Sequence, residues 1–154
     1  MQTIKGELTV NFGTIAIVAS EFNDDLVTGL LNGAVEIFKE NSIDLNDVKV
    51  FKVPGAWEIP IVAKQIAHQK KYVGIIALGV IIKGETAHFE YISENTTRCL
   101  QDISLANNLP ICLGILTTYT REQAIARSAA NTHNKGREAA SALLQTINLM
   151  QKIL

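Results

Sequence analysis

The stretch VGIIALGVII, from Val73 to Ile82, consists only of apolar residues and glycine. Valine and isoleucine, which favour strands, make up most of it. A helix that crosses a bilayer needs about 20 consecutive apolar residues. The run is therefore too short to span a membrane, and it predicts a strand that is buried on both faces of a parallel sheet.

Similar apolar runs occur on either side of this strand. They predict strands at Thr14 to Ala19, Val48 to Val53 and Ile111 to Leu116, and the segment Leu8 to Val10 leaves open a short edge strand paired with a neighbouring subunit. Segments of helical period separate the strands, which is the pattern of βα units. The sequence therefore predicts a three-layer α/β/α sandwich around a mainly parallel four-stranded sheet, in a single domain over residues 1–154.

The helices follow from the spacing of apolar residues. A helix from about His88 to Asn107 ends before Pro110, which cannot continue it. Thr120 and Gln123 have the spacing of a capping box that opens a short helix through about Arg127. Three more helices are predicted: one with Leu26, Leu30, Ala34, Ile37 and Phe38 on one face, one with Ile59, Val62, Ala63, Ile66 and Ala67, and one from about Lys135 with Ala140, Leu143, Leu144 and Ile147.

The composition limits the classes of partner. Charged residues make up 19% of the chain, below the roughly 25% of an average soluble domain, so we expect some apolar surface to contact partners. The net charge of -1 argues against binding to nucleic acid or to an anionic membrane. Cys99 and Cys112 lack the paired spacing of a metal site or disulfide framework, so we predict reduced core residues. The sequence shows no leader-like apolar run and indicates a cytoplasmic protein.

Polar and aromatic residues follow each predicted strand. The segments concerned are Ser20 to Asn23, Pro54 to Glu58, Lys83 to Phe89 and Thr117 to Thr120. In open α/β sheets, ligands bind beyond the carboxyl ends of the strands. We therefore expect these segments to form one binding cleft.

Three common motifs can be excluded. No G-x-G-x-x-G sequence opens a helix, which argues against a dinucleotide site. The stretch Gly79 to Thr86 resembles a phosphate-binding loop, but Glu85 stands where the lysine would be required. His68, His88 and His133 are too scattered to suggest a metal site.

Several blocks of the chain together resemble the lumazine synthase family. They are Phe22-Asn23, VPGAWEIP from Val53 to Pro60, GVIIKGETAHFEY from Gly79 to Tyr91, GILTT from Gly114 to Thr118, Glu122 to Arg127, and Asn134 to Ala140. They occur in the order and spacing of that family and cover nearly the whole chain. The resemblance implies a flavodoxin-like fold and a pocket completed by a neighbouring subunit.

The resemblance also implies a role for individual residues. His88 is the expected general acid/base, and the expected substrate-binding residues are Phe22, Ala56, Trp57, Glu58, Val80, Ile81, Ile82, Glu85, Thr86, Leu113, Arg127 and Lys135. Glu85 and Thr86, together with Gly84, form a turn that holds the phosphate through backbone groups. Arg127 and Lys135 approach the phosphate from the adjacent subunit. Phe22 stacks on the pyrimidine ring, and Glu58 accepts hydrogen bonds from ribityl hydroxyls.

Each residue also has a simpler interpretation. His88 resembles a histidine that caps a helix, and Glu58 an acidic residue that complements a helix dipole. Arg127 and Lys135 resemble solvated surface cations, and an isolated aromatic residue such as Phe22 or Trp57 more often packs in a core. His68 has no supporting neighbours, and we assign it no role.

The chain departs from the family pattern at several positions. Leu113 stands where a phenylalanine is common, Val80 replaces a threonine, and Lys83 replaces an arginine. Tyr119 occupies a position that is usually acidic or polar. Residues Ser128 to His133 replace a glycine-containing connection that influences assembly, so the chain leaves open whether pentamers stay alone, pair into decamers or close into an icosahedral shell.

By this resemblance the chain condenses 5-amino-6-(D-ribitylamino)uracil with 3,4-dihydroxy-2-butanone 4-phosphate to 6,7-dimethyl-8-ribityllumazine, with release of phosphate and water. It needs no cofactor or metal, its partners are small molecules and copies of itself, and an association with riboflavin synthase is left open. One alternative is a non-catalytic shell protein that binds flavin or lumazine. Another is a riboflavin synthase on the same fold, against which the VPGAWEIP and GETAHFEY blocks argue.

Overall fold

The computed structural model describes residues 1–9 and 13–153. Four parallel strands form one sheet, in the order β2-β1-β3-β4. Their bounds are Thr14–Ser20 for β1, Val48–Val53 for β2, Tyr72–Ile82 for β3 and Ile111–Thr118 for β4. The stretch from Val73 to Ile82 thus lies in a central strand. Eight of its ten residues are buried: Gly74, Ile75, Ile76, Ala77, Leu78, Gly79, Val80 and Ile81.

Five α-helices connect and follow the strands. They are α1 at Asp24–Glu40, α2 at Ile59–His68, α3 at His88–Asn107, α4 at Arg121–Ser128 and α5 at Lys135–Ile153. The predicted capping box is confirmed in part: the Thr120 side chain accepts a hydrogen bond from the Gln123 backbone N–H at 3.2 Å. The Gln123 side chain, however, accepts from the backbone N–H of Tyr119 instead of Thr120.

Helices cover both faces of the sheet, as the sequence predicted. Alternate residues of β1 and β3, such as Ile17 and Leu78, pack against α1, α4 and α5. The residues between them, such as Val18 and Ala77, pack against α2 and α3. The two apolar clusters explain why β1 and β3 have no polar alternation, because both faces of each strand are buried.

The outer strand β2 differs from that pattern. Lys49, Val50 and Lys52 are exposed, while Val53 at its carboxyl end is buried. The strand lies at an edge of the sheet and pairs only with β1 among the described residues. The prediction that this near-continuous apolar run is a buried strand was therefore wrong for β2, since lysines can extend into solvent from an edge.

The segment before β1 runs along α5. Asn148 accepts a hydrogen bond from the Glu7 backbone N–H at 2.9 Å and donates one to the Thr9 carbonyl at 3.1 Å. Leu8 and Thr9 are outside the strands of this chain, and Val10, the last residue of the predicted edge strand, lies outside the described residues.

The two cysteines have different surroundings. Cys112 is partly buried, and burial raises the pKa of its thiol to about 11. Cys99 is exposed on α3, so the prediction of a core residue was wrong at that position. Within residues 1–9 and 13–153, no helix combines the length and apolar character needed to cross a bilayer.

Candidate active site

A cleft of about 790 Å³ lies at the carboxyl ends of β1, β2 and β3. The segments that follow these three strands meet there, as the sequence predicted. The fourth predicted segment, Thr117 to Thr120 after β4, does not line the cleft. The cleft is lined by Phe22, Pro54, Gly55, Ala56, Trp57, Glu58, Val80, Ile81, Ile82, Gly84, Thr86, His88, Phe89, Tyr91 and Ile92.

Phe22 reaches the cleft because backbone pairing continues past the end of β1. The backbone N–H groups of Glu21 and Phe22 donate to the carbonyls of Val53 and Pro54 at 2.8 and 3.0 Å. Asn23 then adopts a left-handed conformation, with φ of 58°, and its side chain donates to the Val80 carbonyl at 3.0 Å. The turn is thereby fixed while the Phe22 ring remains 70% exposed at the cleft.

Trp57 and Glu58 lie on a 3-10 turn, Ala56–Glu58, that leads directly into α2. Trp57 is 57% exposed, so it does not pack in the core. Glu58 precedes the first residue of α2, but its side chain makes no capping hydrogen bond to that helix. The carboxylate can therefore accept hydrogen bonds from a ligand in the cleft.

His88 is the first residue of α3 and is exposed. Its backbone N–H donates a long hydrogen bond, 3.4 Å, to the Thr86 hydroxyl. Nothing lies within 4 Å of the position that a Cβ would take at Gly84, so the turn before the helix is open. The imidazole thus belongs to an exposed residue that lines a mostly apolar cleft.

Two lining residues, Tyr91 and Ile92, lie outside the segments that the sequence analysis assigned to the cleft. Tyr91 and Ile92 follow His88 by three and four positions, so they share one side of α3 with it. That spacing from His88 is the feature of the sequence from which both residues could have been predicted. Tyr91 and His88 place polar groups on the same side of the cleft.

The cleft contains no cation of its own among the residues that line it. Its ionisable side chains are Glu58, His88 and Tyr91, and no lysine or arginine contributes to the lining that the structure describes. Such a site can hold a planar, mostly neutral molecule by stacking and hydrogen bonding. An anionic group would require positive charge from outside this part of the chain.

Four residues predicted for the site do not line the cleft. Glu85 is exposed on the turn beside it, and Leu113 is 52% exposed on the edge strand β4. Arg127 and Lys135 belong to α4 and α5, which cover the opposite face of the sheet from α2 and α3. Arg127 donates to the Gln123 carbonyl at 3.0 Å, and Lys135 pairs with Glu138.

Beside the cleft, Lys83 connects the start of α3 to the end of β4. Its Nζ lies 2.6 Å from a carboxylate oxygen of Glu90. The same atom lies 5.8 Å from the centre of the Phe89 ring and 5.9 Å from that of Tyr119. The hydrogen bond between Lys83 and Glu90 raises the pKa of the lysine and lowers the pKa of the carboxyl group.

We expect the substitution Glu90→Gln to lower the melting temperature at neutral pH but not in acid. The lowered carboxyl pKa means that the pair stabilises the fold fully above the ordinary value of 4.5, and this contribution is lost as the pH falls through the lower value in the folded state. Thermal unfolding followed from about pH 7 to about pH 3 measures the difference. Glu94→Gln, on the same helix, is the control, and a difference from wild type that persists in acid would contradict the expectation.

The similarity of this chain to known proteins covers nearly its full length and is not confined to the cleft. Residues 13–151 match a family model described as 6,7-dimethyl-8-ribityllumazine synthase. A protein of that name from Nitratidesulfovibrio vulgaris strain DP4 is 40% identical over 153 residues, which cover 99% of this chain and 98% of the relative. Another of the same name, from Leuconostoc mesenteroides subsp. mesenteroides, is 47% identical over 139 residues, covering 90% of this chain and 89% of the relative. All the residues that line the cleft fall within the matched range.

Proposed function

Because the chain belongs to the 6,7-dimethyl-8-ribityllumazine synthase family, we propose that the cleft at the carboxyl edge of its sheet is where the two substrates of that reaction are joined. The activity is that of the family, the formation of 6,7-dimethyl-8-ribityllumazine. The substrates are 5-amino-6-(D-ribitylamino)uracil and 3,4-dihydroxy-2-butanone 4-phosphate. The other products are inorganic phosphate and two molecules of water.

The chemistry needs orientation and proton transfer. Two C–N bonds form between the diamine and the four-carbon substrate, and each replaces a C–O bond whose oxygen leaves as water. Loss of phosphate supplies the remaining change, so the conversion is redox-neutral and needs no electron-carrying cofactor. Holding an amine against a ketone replaces a bimolecular encounter with a positioned one, which can contribute about 7 to 11 kcal/mol.

The cleft fits the pyrimidine substrate. A flat heterocycle can stack on the exposed Phe22 ring, with Trp57 beside it. Ala56, Val80, Ile81 and Ile82 line the cleft, and their backbone groups can bind its ring atoms. Glu58, whose carboxylate makes no capping bond, accepts from the ribityl hydroxyls.

The phosphate substrate binds next to the turn Gly84 to Thr86. Here the first backbone N–H groups of α3 point outward, and the helix dipole favours an anion. A site shared between two copies of the chain is supported by one observation: no lysine or arginine is among the described residues that line the cleft. Arg127 and Lys135 of a neighbouring copy supply that charge, and Leu113 of the same copy covers the apolar side.

The assembly that follows is a ring of identical subunits, with a pentamer as its smallest active form. Exposed apolar residues, including Trp57, Ile61, Leu113 and Ile125, supply surface for contacts between copies. A contact that joins the cleft of one copy to α4 and α5 of the next is heterologous, and such contacts form a ring when the rotation between copies closes. Each copy contributes one domain over residues 1–154.

His88 exchanges protons with the substrates during these steps. Imine formation, phosphate loss and ring closure each move a proton, and imidazole can both accept and donate one near neutral pH. A protein that only binds lumazine or flavin would need the stacking residues but no acid/base group that lines the cleft. The position of His88 therefore favours turnover.

Mixing the purified protein with both substrates and following the absorbance of the lumazine product tests the proposal. We expect Arg127→Ala to raise KM for the phosphate substrate about tenfold or more, because a charged hydrogen bond is worth roughly 1.5 to 3 kcal/mol. KM for the pyrimidine should change little. A wild-type rate no faster than buffer would exclude the enzymatic function, and unchanged kinetics in the variant would remove Arg127 from the site.

A further inference from the structure

Asn134 lies in the connection between α4 and α5 and is almost completely buried, with 1% of its surface exposed. Its side-chain amide nitrogen donates to the carbonyls of Ser128 at 2.8 Å, Ala129 at 3.0 Å and Gly29 at 3.0 Å. These acceptors belong to the end of α4, the residue after it and the middle of α1. One side chain thus joins three segments of the chain.

The side-chain oxygen of Asn134 serves a different purpose. It accepts hydrogen bonds from the backbone N–H groups of Gly136 at 2.8 Å and Arg137 at 3.2 Å. These are the second and third residues of α5, so Asn134 acts as the N-cap of that helix. A cap requires only the oxygen, whereas the three contacts of the nitrogen go beyond capping.

Glycines on α1 make room for this arrangement. A Cβ at Gly33 would lie 2.2 Å from the Asn134 side-chain oxygen, and one at Gly29 would lie 2.3 Å from the Ser128 carbonyl oxygen. The connection therefore packs directly against the backbone of α1. The positions of residues 128 and 134 are fixed against a rigid helix.

The residues held in this way flank two cations. Arg127 directly precedes Ser128, and Lys135 directly follows Asn134. Both side chains are long, and each also contacts its own helix, at Gln123 and Glu138 respectively. The backbone of Ser128, next to Arg127, and that of Gly136, next to Lys135, are both hydrogen-bonded to the side-chain amide of Asn134. The separation of the two cations therefore depends on Asn134.

We propose that Asn134 is a positioning residue which sets the spacing of Arg127 and Lys135, so that together they bind the phosphate group of a substrate held by the neighbouring copy. The inference rests on the proposed function. A displacement of about 1 Å in a positioning group can cost up to about a hundredfold in rate. Loss of the amide contacts therefore affects the phosphate substrate selectively.

The variant Asn134→Ser tests this, because serine is an equally good N-cap but is too short to reach the three carbonyls. We expect KM for the phosphate substrate, and the inhibition constant of inorganic phosphate, to rise about tenfold. KM for the pyrimidine should change less than about twofold. The matched control is Asn148→Ser, since Asn148 is also buried on α5 but bonds the segment before β1. It should lower the melting temperature without changing the ratio of the two KM values.

Further variants separate this inference from the proposed function. In an Arg127→Ala background, Asn134→Ser should have a smaller effect on the phosphate KM than it has in wild type, because the two residues act on the same contact. If Arg127→Ala weakens phosphate binding and Asn134→Ser does not, the positioning role alone is wrong. If neither does, the phosphate site itself is wrong.

Should Asn134→Ser fail to fold, Asn134→Thr offers a second measurement. Threonine also caps a helix, carries no charge and is too short to reach the three carbonyls. A selective loss of inorganic phosphate binding, with pyrimidine binding retained, would support the positioning role. Equal weakening of both ligands would overturn it, since that is the result of general destabilisation.

Discussion

Replacing His88 with glutamine is expected to lower kcat about a hundredfold, while KM for either substrate changes by less than about threefold. General acid/base catalysis contributes about a hundredfold to ten-thousandfold, and phosphate binding, stacking and orientation remain in the variant. Glutamine can still donate and accept hydrogen bonds, but it cannot exchange a proton near neutral pH. A steady-state assay with both substrates varied in turn measures the two effects separately.

The control for this experiment is His68→Gln. His68 is the last residue of α2 and is exposed, outside the residues that line the cleft. It should keep wild-type kinetics. The pH–rate profile gives a second criterion, since the profiles of wild type and His68→Gln should have the same shape and that of His88→Gln should differ from both. Equal kcat values for wild type and His88→Gln would show that His88 does not transfer a proton in the slow step.

Much of the fold could be predicted because the local signals agree with the tertiary structure. The helix predicted from about His88 to Asn107 has those bounds in α3, and Pro110 follows it. The strand from Val48 to Val53 was also placed correctly. In both cases a proline follows the element closely, Pro54 directly after β2 and Pro110 three residues after α3, which leaves little freedom in the boundary.

Exposure was harder to predict than secondary structure. The pattern VKVFKV of β2 is compatible with an edge or an inner position, and strand order depends on contacts between distant segments. Cys99 lies between Arg98 and Leu100, and only Leu100 faces the core. A local window around Cys99 therefore gives no warning that its side chain is exposed.

The candidate site, like the fold, could be predicted only in part. Residues that follow β1, β2 and β3 could be grouped from topology, because parallel strands end at a common edge. The contribution of Tyr91 and Ile92 depends on the direction in which α3 leaves the cleft, which the sequence does not specify. Arg127 and Lys135 are a different case, since they lie outside the cleft lining of this chain, and only the family pattern connects them to it.

The contact between α1 and α5 has little space, and the substitution Gly136→Ala is expected to lower the melting temperature by about 4 to 8 °C. A Cβ at Gly136 would lie 1.8 Å from the carbonyl oxygen of Leu30. Both groups belong to backbone, so no side-chain rotation can relieve the overlap, and the two helices must separate. Overpacking typically costs about 1 to 3 kcal/mol, and an overlap between two backbones places this variant at about 3 kcal/mol.

Two effects oppose each other in this variant, and their magnitudes decide the sign. Alanine favours a helix over glycine by about 1 kcal/mol, which leaves a net loss of about 2 kcal/mol. For a chain of this size, each 1 kcal/mol shifts the melting temperature by about 2 to 4 °C. Gly84→Ala is the control, because nothing lies within 4 Å of the added Cβ, and it should melt within about 2 °C of wild type. A Gly136→Ala protein that melts at or above the wild-type temperature would mean that α1 and α5 can move apart without loss of packing, and the fixed connection between Arg127 and Lys135 would then lose its rigid support.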